Sequence, residues 1–289
     1  MSPNPTDPAT VVKIGGARAV DPEGALADVG GLAAGDDVVL VHGGSTKVDD
    51  TLERLGIDPE YVETPDGVVG RFTDAKTMEA FTMAMSTIRS DLVAGLQSQG
   101  VDAVGLSGVD GKLLYGPRKS AVRVVEDGKR KIRRGDHSGR IEQVNDELLH
   151  TLLDSGHVPI VGPPMAGADD GAVTPVNTDA DRSAAAIAAA LGARLVFLTD
   201  VAGVYADPDD PATVIERVET PAEMADLEAA AEGFMRRKVM ATTEALEGGA
   251  AEVIVADANA DAPVTGAIEG GGTHVLPGAI EDDTRIYDR

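Results

Sequence analysis

Cysteine and tryptophan are both absent from the 289 residues. Without cysteine there are no disulfides, no thiolate nucleophile and no Cys-ligated zinc or iron–sulfur site, and the five scattered histidines show no metal-ligand spacing. Any metal that the chemistry needs is expected to arrive with a ligand. No stretch reaches the roughly 18 consecutive apolar residues of a membrane helix, and the polar, Pro-rich start from Met1 to Thr10 is unlike a secretory leader. A soluble cytoplasmic protein with no membrane partner is the expectation. Basic residues are few, 25 against 49 acids, for a net charge of −24. A disordered acidic chain could carry that charge, but 43% hydrophobic residues in periodic runs argue for a folded one whose acids form a solvated surface. Scarce lysine and only 3% aromatics fit a halophilic chain, since the Debye length shrinks to about 3 Å at 1 M salt. A surface of that sign is not expected to bind nucleic acid.

What is present is a regular alternation. Apolar, β-branched runs at Thr10 to Ile14, Val38 to Val41, Val101 to Leu106, Val158 to Val161, Leu195 to Leu198 and Val253 to Val255 read as strands. Helices are predicted from Pro22 to near Gly35, over Ala75 to Gln99, Asn145 to Ser155, Asp179 to Leu191 and Phe234 to Glu247. This order implies an α/β fold with an open, mostly parallel sheet sandwiched by helices. The length suits one large domain or two lobes sharing a sheet.

One segment departs from the acidic background. Lys112 to Arg140 holds ten basic residues against three acids. Val122 to Val125 before Glu126-Asp127-Gly128, with Lys129 to Arg133 after, predicts a β-hairpin presented outside the main sheet.

Two predicted strands end in glycine pairs, Gly15-Gly16 and Gly43-Gly44. Such turns at the carboxyl edge of a sheet let backbone N–H groups approach phosphate oxygens, although a glycine pair alone often only makes a turn. Lys13 shifts the balance, because a lone lysine in an apolar strand is costly to bury unless its ammonium meets an anion. Neither a Gly-x-Gly-x-x-Gly fingerprint nor a Walker A sequence occurs.

Seven segments, in order, resemble the motif set of the amino-acid kinase family, and in particular its acetylglutamate kinase-like members. They are Val-Val-Lys-Ile-Gly-Gly (11–16), Val-His-Gly-Gly (41–44), Gly-Arg-Phe-Thr-Asp (70–74), Val-Gly-Leu-Ser-Gly-Val-Asp-Gly (104–111), Val-Asn-Thr-Asp-Ala-Asp (176–181), Leu-Thr-Asp-Val-Ala-Gly-Val-Tyr (198–205) and Gly-Phe-Met-Arg-Arg-Lys (233–238). The resemblance implies the carbamate kinase-like fold in two lobes, with an acceptor-binding lobe over 1–175 that carries the basic hairpin 112–140, and a nucleotide-binding lobe over 176–289. It also implies ATP with Mg2+, no metal site built from side chains, and a homodimer.

Residue by residue, Lys13 matches the lysine that contacts the transferring phosphate, and Lys238 a second lysine on the nucleotide side. Asp181 matches the aspartate that orients both. Gly43 and Gly44, toward the acceptor, and Gly15 and Gly16, toward the nucleotide, match backbone donors to phosphate. Arg71 matches the arginine that clamps a substrate carboxylate, and Asn177 the asparagine that binds the substrate's polar backbone. Thr199, Asp200, Gly203 and Tyr205 lie in a stretch that resembles the loop beside adenine and ribose. Taken alone, Asp181 and Asn177 could simply cap a helix, and Arg71 or Lys238 could be surface charges. Two departures from the pattern stand out: Ser45 follows Gly43-Gly44 where a third glycine is common, and Phe234 interposes in the usual Gly-Gly-Met stretch.

The stretch 118–141 resembles the branch that phosphorylates glutamate or α-aminoadipate attached to a small acidic amino-group carrier protein, LysW, in arginine and lysine biosynthesis. That resemblance implies carrier binding by Arg118, Lys119, Arg123, Lys129, Arg130, Lys131, Arg133 and Arg134. The alternatives are a kinase of free N-acetylglutamate, and a nucleic-acid-binding or non-catalytic sensor protein that uses the hairpin. Absence of interleaved aromatics and the steep salt sensitivity of phosphate binding weigh against nucleic acid.

Overall fold

The β-branched runs become neighbouring strands of one sheet, as their two-sided apolar composition requires. The computed structural model describes residues 7–15, 22–65, 67, 69–126 and 128–280. Chain order begins β1 (Thr10–Ile14), α1 (Pro22–Leu32), β2 (Val38–His42), α2 (Ser45–Arg54), β3 (Tyr61–Glu63), β4 (Val69–Arg71), α3 (Ala75–Ser98) and β5 (Ala103–Gly108). It continues β6 (Leu114–Glu126), β7 (Lys129–Gly139), β8 (Gln143–Val144), α4 (Asp146–Asp154), β9 (Val158–Asp169), β10 (Ala172–Val176) and α5 (Ala180–Leu191). It closes β11 (Arg194–Thr199), β12 (Arg217–Val218), α6 (Pro221–Ala230), α7 (Gly233–Glu247), β13 (Glu252–Asp257), α8 (Thr265–Ile268) and β14 (Thr273–Val275).

The main sheet runs β12-β14-β13-β11-β1-β2-β9-β6-β7, with β5 and β10 also on β9 and β8 on β6. Its centre, β13-β11-β1-β2-β9, is parallel, and β14, β10, β8 and β7 add antiparallel margins. Alternate residues feed two cores. Val11, Val39, Val41, Leu195 and Phe197 pack with α5 and α7, whereas Val12, Ile14, Leu40, Val196 and Leu198 pack with α1 and α3. That period of two decides the direction of Lys13, which shares the parity of Val11 and so faces α5 and α7.

The basic hairpin over 122–133 leaves the main sheet as expected, but its root does not. β6 starts inside the sheet, with Tyr115 to Pro117 paired to β9, and only then leaves with β7. Leu113 and Leu114 at its root are fully buried, so an apolar anchor holds the charged arm. No helix among the described residues is long and apolar enough to cross a membrane.

At the opposite end of the sheet Arg194 and Glu252 are register partners, 3.1 Å apart, and His274 Nδ1 lies 2.8 Å from the second oxygen of Glu252. The His274 hydrogen bond holds the Glu252 carboxyl below the usual glutamate range; Arg194 adds to it, and burial opposes. A depressed carboxylate pKa stabilises the fold fully above the unfolded value of 4.5 and ceases to do so as pH falls through the folded one. Glu252→Gln is therefore expected to melt below the parent at neutral pH, with the gap closing on acidification below 4.5. Thermal melts across that range check this, and a gap independent of pH would contradict it.

Candidate active site

Lys13 leaves β1 near its carboxyl end, toward the first turn of α5. Its Nζ lies 2.5 Å from Asp181 Oδ1. Lys238, from the second turn of α7, places Nζ 3.1 Å from Asp181 Oδ2 and 3.3 Å from Oδ1. Two ammoniums thus converge on one carboxylate, and the three side chains are only 7, 11 and 12% exposed. The helix cap is Asp179, whose carboxylate accepts from the N–H groups of Asp181 and Arg182 at 2.9 and 3.1 Å. Asp181 is thereby left free for the lysines, in the first turn of a helix whose N-terminus favours negative charge.

Burial pushes the Asp181 carboxyl up, but the Lys13 and then the Lys238 ammoniums overcome it and hold it at about 2. The Lys238 ammonium is pushed below the usual lysine range, first by burial and then by Lys13, with Asp181 opposing. The triad carries one surplus positive charge in a poorly solvated place. That donor set suits a polyphosphate whose charge shifts during transfer.

Around the triad the glycines differ. Gly15 directly follows β1, while Gly16 lies outside the described residues. Gly43 N bonds Ile14 O at 3.4 Å. Gly44 has an extended φ of 176° that any residue adopts, so its need for glycine is spatial: a Cβ would fall 2.2 Å from Ile88 Cδ1. Ser45 then opens α2, and no side chain caps that helix. His42, 1% exposed, packs on Gly162, where a Cβ would meet its ring at 2.1 Å. Burial keeps it neutral, with its pKa lowered to about 4.

Arg71 and Asn177 are joined through Thr73. Asn177 Nδ2 donates to Thr73 Oγ1 at 3.0 Å, and Thr73 Oγ1 donates to Arg71 O at 3.4 Å. The base of the hairpin is stitched to the same point, since His137 N donates to Thr73 O, Asn177 N to His137 O, and Thr73 N to the buried Asp136 carboxylate. The guanidinium of Arg71 is not idle: it pairs with Asp49 at 2.7 Å. Thr199 ends β11, the strand beside β1, and its hydroxyl bonds Asp200. In the loop beyond, Gly203 fits where a Cβ would lie 2.7 Å from Thr273 Oγ1, and Tyr205 Oη accepts from Ala202 N at 3.2 Å.

The eight hairpin cations fall into two groups. Arg118 is a brace rather than a displayed charge, because its guanidinium bonds Asp169, the Asp136 carbonyl and His137. Lys131 pairs with Glu126, and Arg133 with Glu60 while lying over the Phe72 ring at 4.3 Å. Lys119, Arg123, Lys129, Arg130 and Arg134 are exposed and have no carboxylate partner among the described residues. The register pairs Arg123 with Ile132, and Val125 with Arg130. Ile132, 68% exposed, therefore sits on an outward face among arginines, while Val124 on the other face is buried.

Asp49, Thr73, Asp136, His42 and Asp179 were not singled out from sequence. Asp179 starts an apolar helical run, and His42 and Thr73 stand inside the motifs 41–44 and 70–74, whereas Asp49 and Asp136 carried no signal.

Among the described residues no group of three or more His, Asp or Glu side chains could hold a metal ion. The sequence profile of the Amino acid kinase family matches residues 8–257. A LysW-aminoadipate kinase from Thermus thermophilus is 41% identical over 273 residues, covering 92% of this chain and 99% of that one. An acetylglutamate kinase from Methanopyrus kandleri is 43% identical over 244 residues, 83% of this chain and 91% of that one. Of solved structures, N-acetylglutamate synthase from Neisseria gonorrhoeae in complex with coenzyme A and N-acetyl-glutamate matches 93% of this chain with a TM-score of 0.73 and 26% identity, and this chain spans 59% of its length. With the lysine-aspartate-lysine triad at the carboxyl edge of a parallel sheet, these matches place the chain in the amino acid kinase family.

Proposed function

We propose that this chain transfers the γ-phosphoryl group of MgATP to the side-chain carboxylate of glutamate or α-aminoadipate carried on LysW, giving an acyl phosphate in arginine or lysine biosynthesis. The observation that carries the chemistry is the convergence of Lys13 and Lys238 on Asp181. A carboxylate oxygen of the acceptor attacks the γ-phosphorus, the bond from that phosphorus to the β,γ-bridging oxygen breaks, and ADP leaves. The acceptor is already ionised, so no general base is needed. The protein's task is positioning and charge neutralisation, with Lys13 toward the transferring group, Lys238 toward the nucleotide, and Asp181 fixing both ammoniums. Mg2+ would be held by the phosphates of the nucleotide.

The outward face of the hairpin supports the carrier as the acceptor's bearer. Arg123, Arg130 and Arg134 surround Ile132, and a groove of about 790 Å³ beside them is lined by Thr64, Pro65, Lys119 and Arg123. Arginines around an apolar residue suit a partner with an acidic face.

A second reading, phosphorylation of free N-acetylglutamate, is favoured by the identity to the Methanopyrus kandleri protein. ATP turnover with N-acetylglutamate, glutamyl carrier and aminoadipyl carrier separates the two. The expected result is a kcat/KM at least about 10²-fold higher on one of the carriers. Efficient use of the free acid would replace the carrier reading with this one.

A further inference from the structure

Arg71 is held from three sides by Asp49, Ser45 and Tyr61. Nε and Nη2 both donate to Asp49 Oδ1, at 3.2 and 2.7 Å. Nη2 also reaches Ser45 O at 3.1 Å and Tyr61 Oη at 3.0 Å, and Tyr61 Oη donates to Asp49 Oδ2 at 2.8 Å. The triangle Arg71-Asp49-Tyr61 is therefore closed by hydrogen bonds on every side, and the Arg71 guanidinium also lies 5.4 Å from the Tyr61 ring centroid.

Three elements meet here for local reasons. Tyr61 and Arg71 are opposite one another in the β3-β4 pair. Asp49 lies in α2, which begins directly after Gly43-Gly44 and is pinned to α3 by the buried Val48 and Leu52. The triangle thus keys Arg71 to the helix that follows the glycine loop.

We infer that Asp49 and Tyr61 are positioning residues that aim Arg71 at the free α-carboxylate of the acceptor. The inference rests on the reading of Arg71 as the acceptor's clamp. Attachment of an amino acid to a carrier, or acetylation, consumes its amino group and leaves that carboxylate available. Asp49 takes the Nε/Nη2 edge of the guanidinium, and Nη1 has no partner among the described residues. A carboxylate that merely filled the substrate's place would be free to take the end of the fork instead. Holding the side edge keeps a long side chain in one rotamer before substrate arrives, so less entropy is lost on binding. The Arg71 side chain is 6% exposed, so misdirection cannot be repaired by easy movement through solvent. Burial, and then the bond to Asp49, push the Tyr61 hydroxyl above its usual range, so it remains a donor to Asp49.

The test is steady-state kinetics of the full chain with ATP and the aminoadipyl carrier. Arg71→Lys is the reference and is expected to raise the acceptor KM. If it does not, the clamp reading fails and this inference with it. With that established, Asp49→Ala is expected to raise the acceptor KM about tenfold, equivalent to about 1.4 kcal/mol, with kcat and the KM for ATP within about twofold. Asp49→Asn, which keeps an acceptor oxygen, should return the acceptor KM to within about threefold of the parent, and Tyr61→Phe should raise it about threefold. A lower acceptor KM in Asp49→Ala would make Asp49 a competitor of substrate and overturn the inference. So would an unchanged KM, or equal losses in the alanine and asparagine variants accompanied by a lowered melting temperature.

Discussion

Lys238→Ala is expected to lower kcat about 10²- to 10³-fold while moving each KM no more than about threefold. Negative charge shifts onto the β,γ-bridging oxygen as its bond to the γ-phosphorus lengthens, and a fixed ammonium in a poorly solvated place stabilises that shift without reorganising. Lys238 is such a group, held by Asp181 at 3.1 Å and nearly buried. Its contribution grows toward the transition state, so its loss appears in kcat rather than in KM. The pH profile gives an independent reading. Burial, with the help of Lys13, lowers the Lys238 pKa below 10.5, so the charged form is lost earlier as pH rises. The alkaline limb of the parent's kcat profile should therefore fall below 10.5, and Lys238→Arg, if it retains turnover, should move that limb upward. An unchanged kcat in Lys238→Ala would remove this lysine from the chemistry.

Charge reversal on the hairpin is expected to have the second large effect. Replacing Arg123, Arg130 and Arg134 together by Glu should raise the KM for the carrier-linked acceptor about 10²-fold, with kcat at saturating carrier within about twofold. These three share the outward face around Ile132, so reversal presents repulsion to an acidic partner without touching the packed face behind Val124. The effect should shrink as salt is added, because exposed charges are screened. The same reversal at Arg118 is a poor control, since it would leave Asp169 without its guanidinium partner and break the root of the hairpin. Titrating carrier into the kinase variant by calorimetry gives the same information without turnover. Parental carrier affinity in the triple variant would end the docking role of this face.

Much of the central sheet was legible because its strands are buried on both sides and read as unbroken Val, Ile and Leu runs between glycines. β9 was not. The apolar run ends at Val161, and Gly162-Pro163-Pro164 has the composition of a terminator, yet the strand continues to Asp169. It does so by changing neighbours, leaving β2 for β6 and β10, while the pairing with β5 shifts register across the proline pair, so the missing N–H donors fall where the ladder is interrupted anyway. The short strands β12 and β14, of two and three residues, carry too few for a period to show. At the site, Lys13 was visible as the one charge in an apolar strand. Asp49 was not, because nothing marks one acid among 49 as the partner of an arginine 22 residues away. Charge counting also could not separate Arg118 from its neighbours: Asp169, which converts it into a brace, is 51 residues distant in sequence.

The parity of β1 reaches beyond catalysis. Both cores that flank this strand accept valine and isoleucine equally, so hydrophobicity alone scarcely distinguishes its register from one slipped by a single residue. Lys13 removes that ambiguity. In the slipped register its ammonium would enter the layer of α1 and α3, among Leu26, Val29, Leu92 and Leu96, far from the Asp181 carboxylate that neutralises it. The residue proposed to contact the transferring phosphate thus also acts as a key that lets the central strand seat in only one way, and a substitution chosen to silence the enzyme would at the same time loosen the instruction that aligns its sheet.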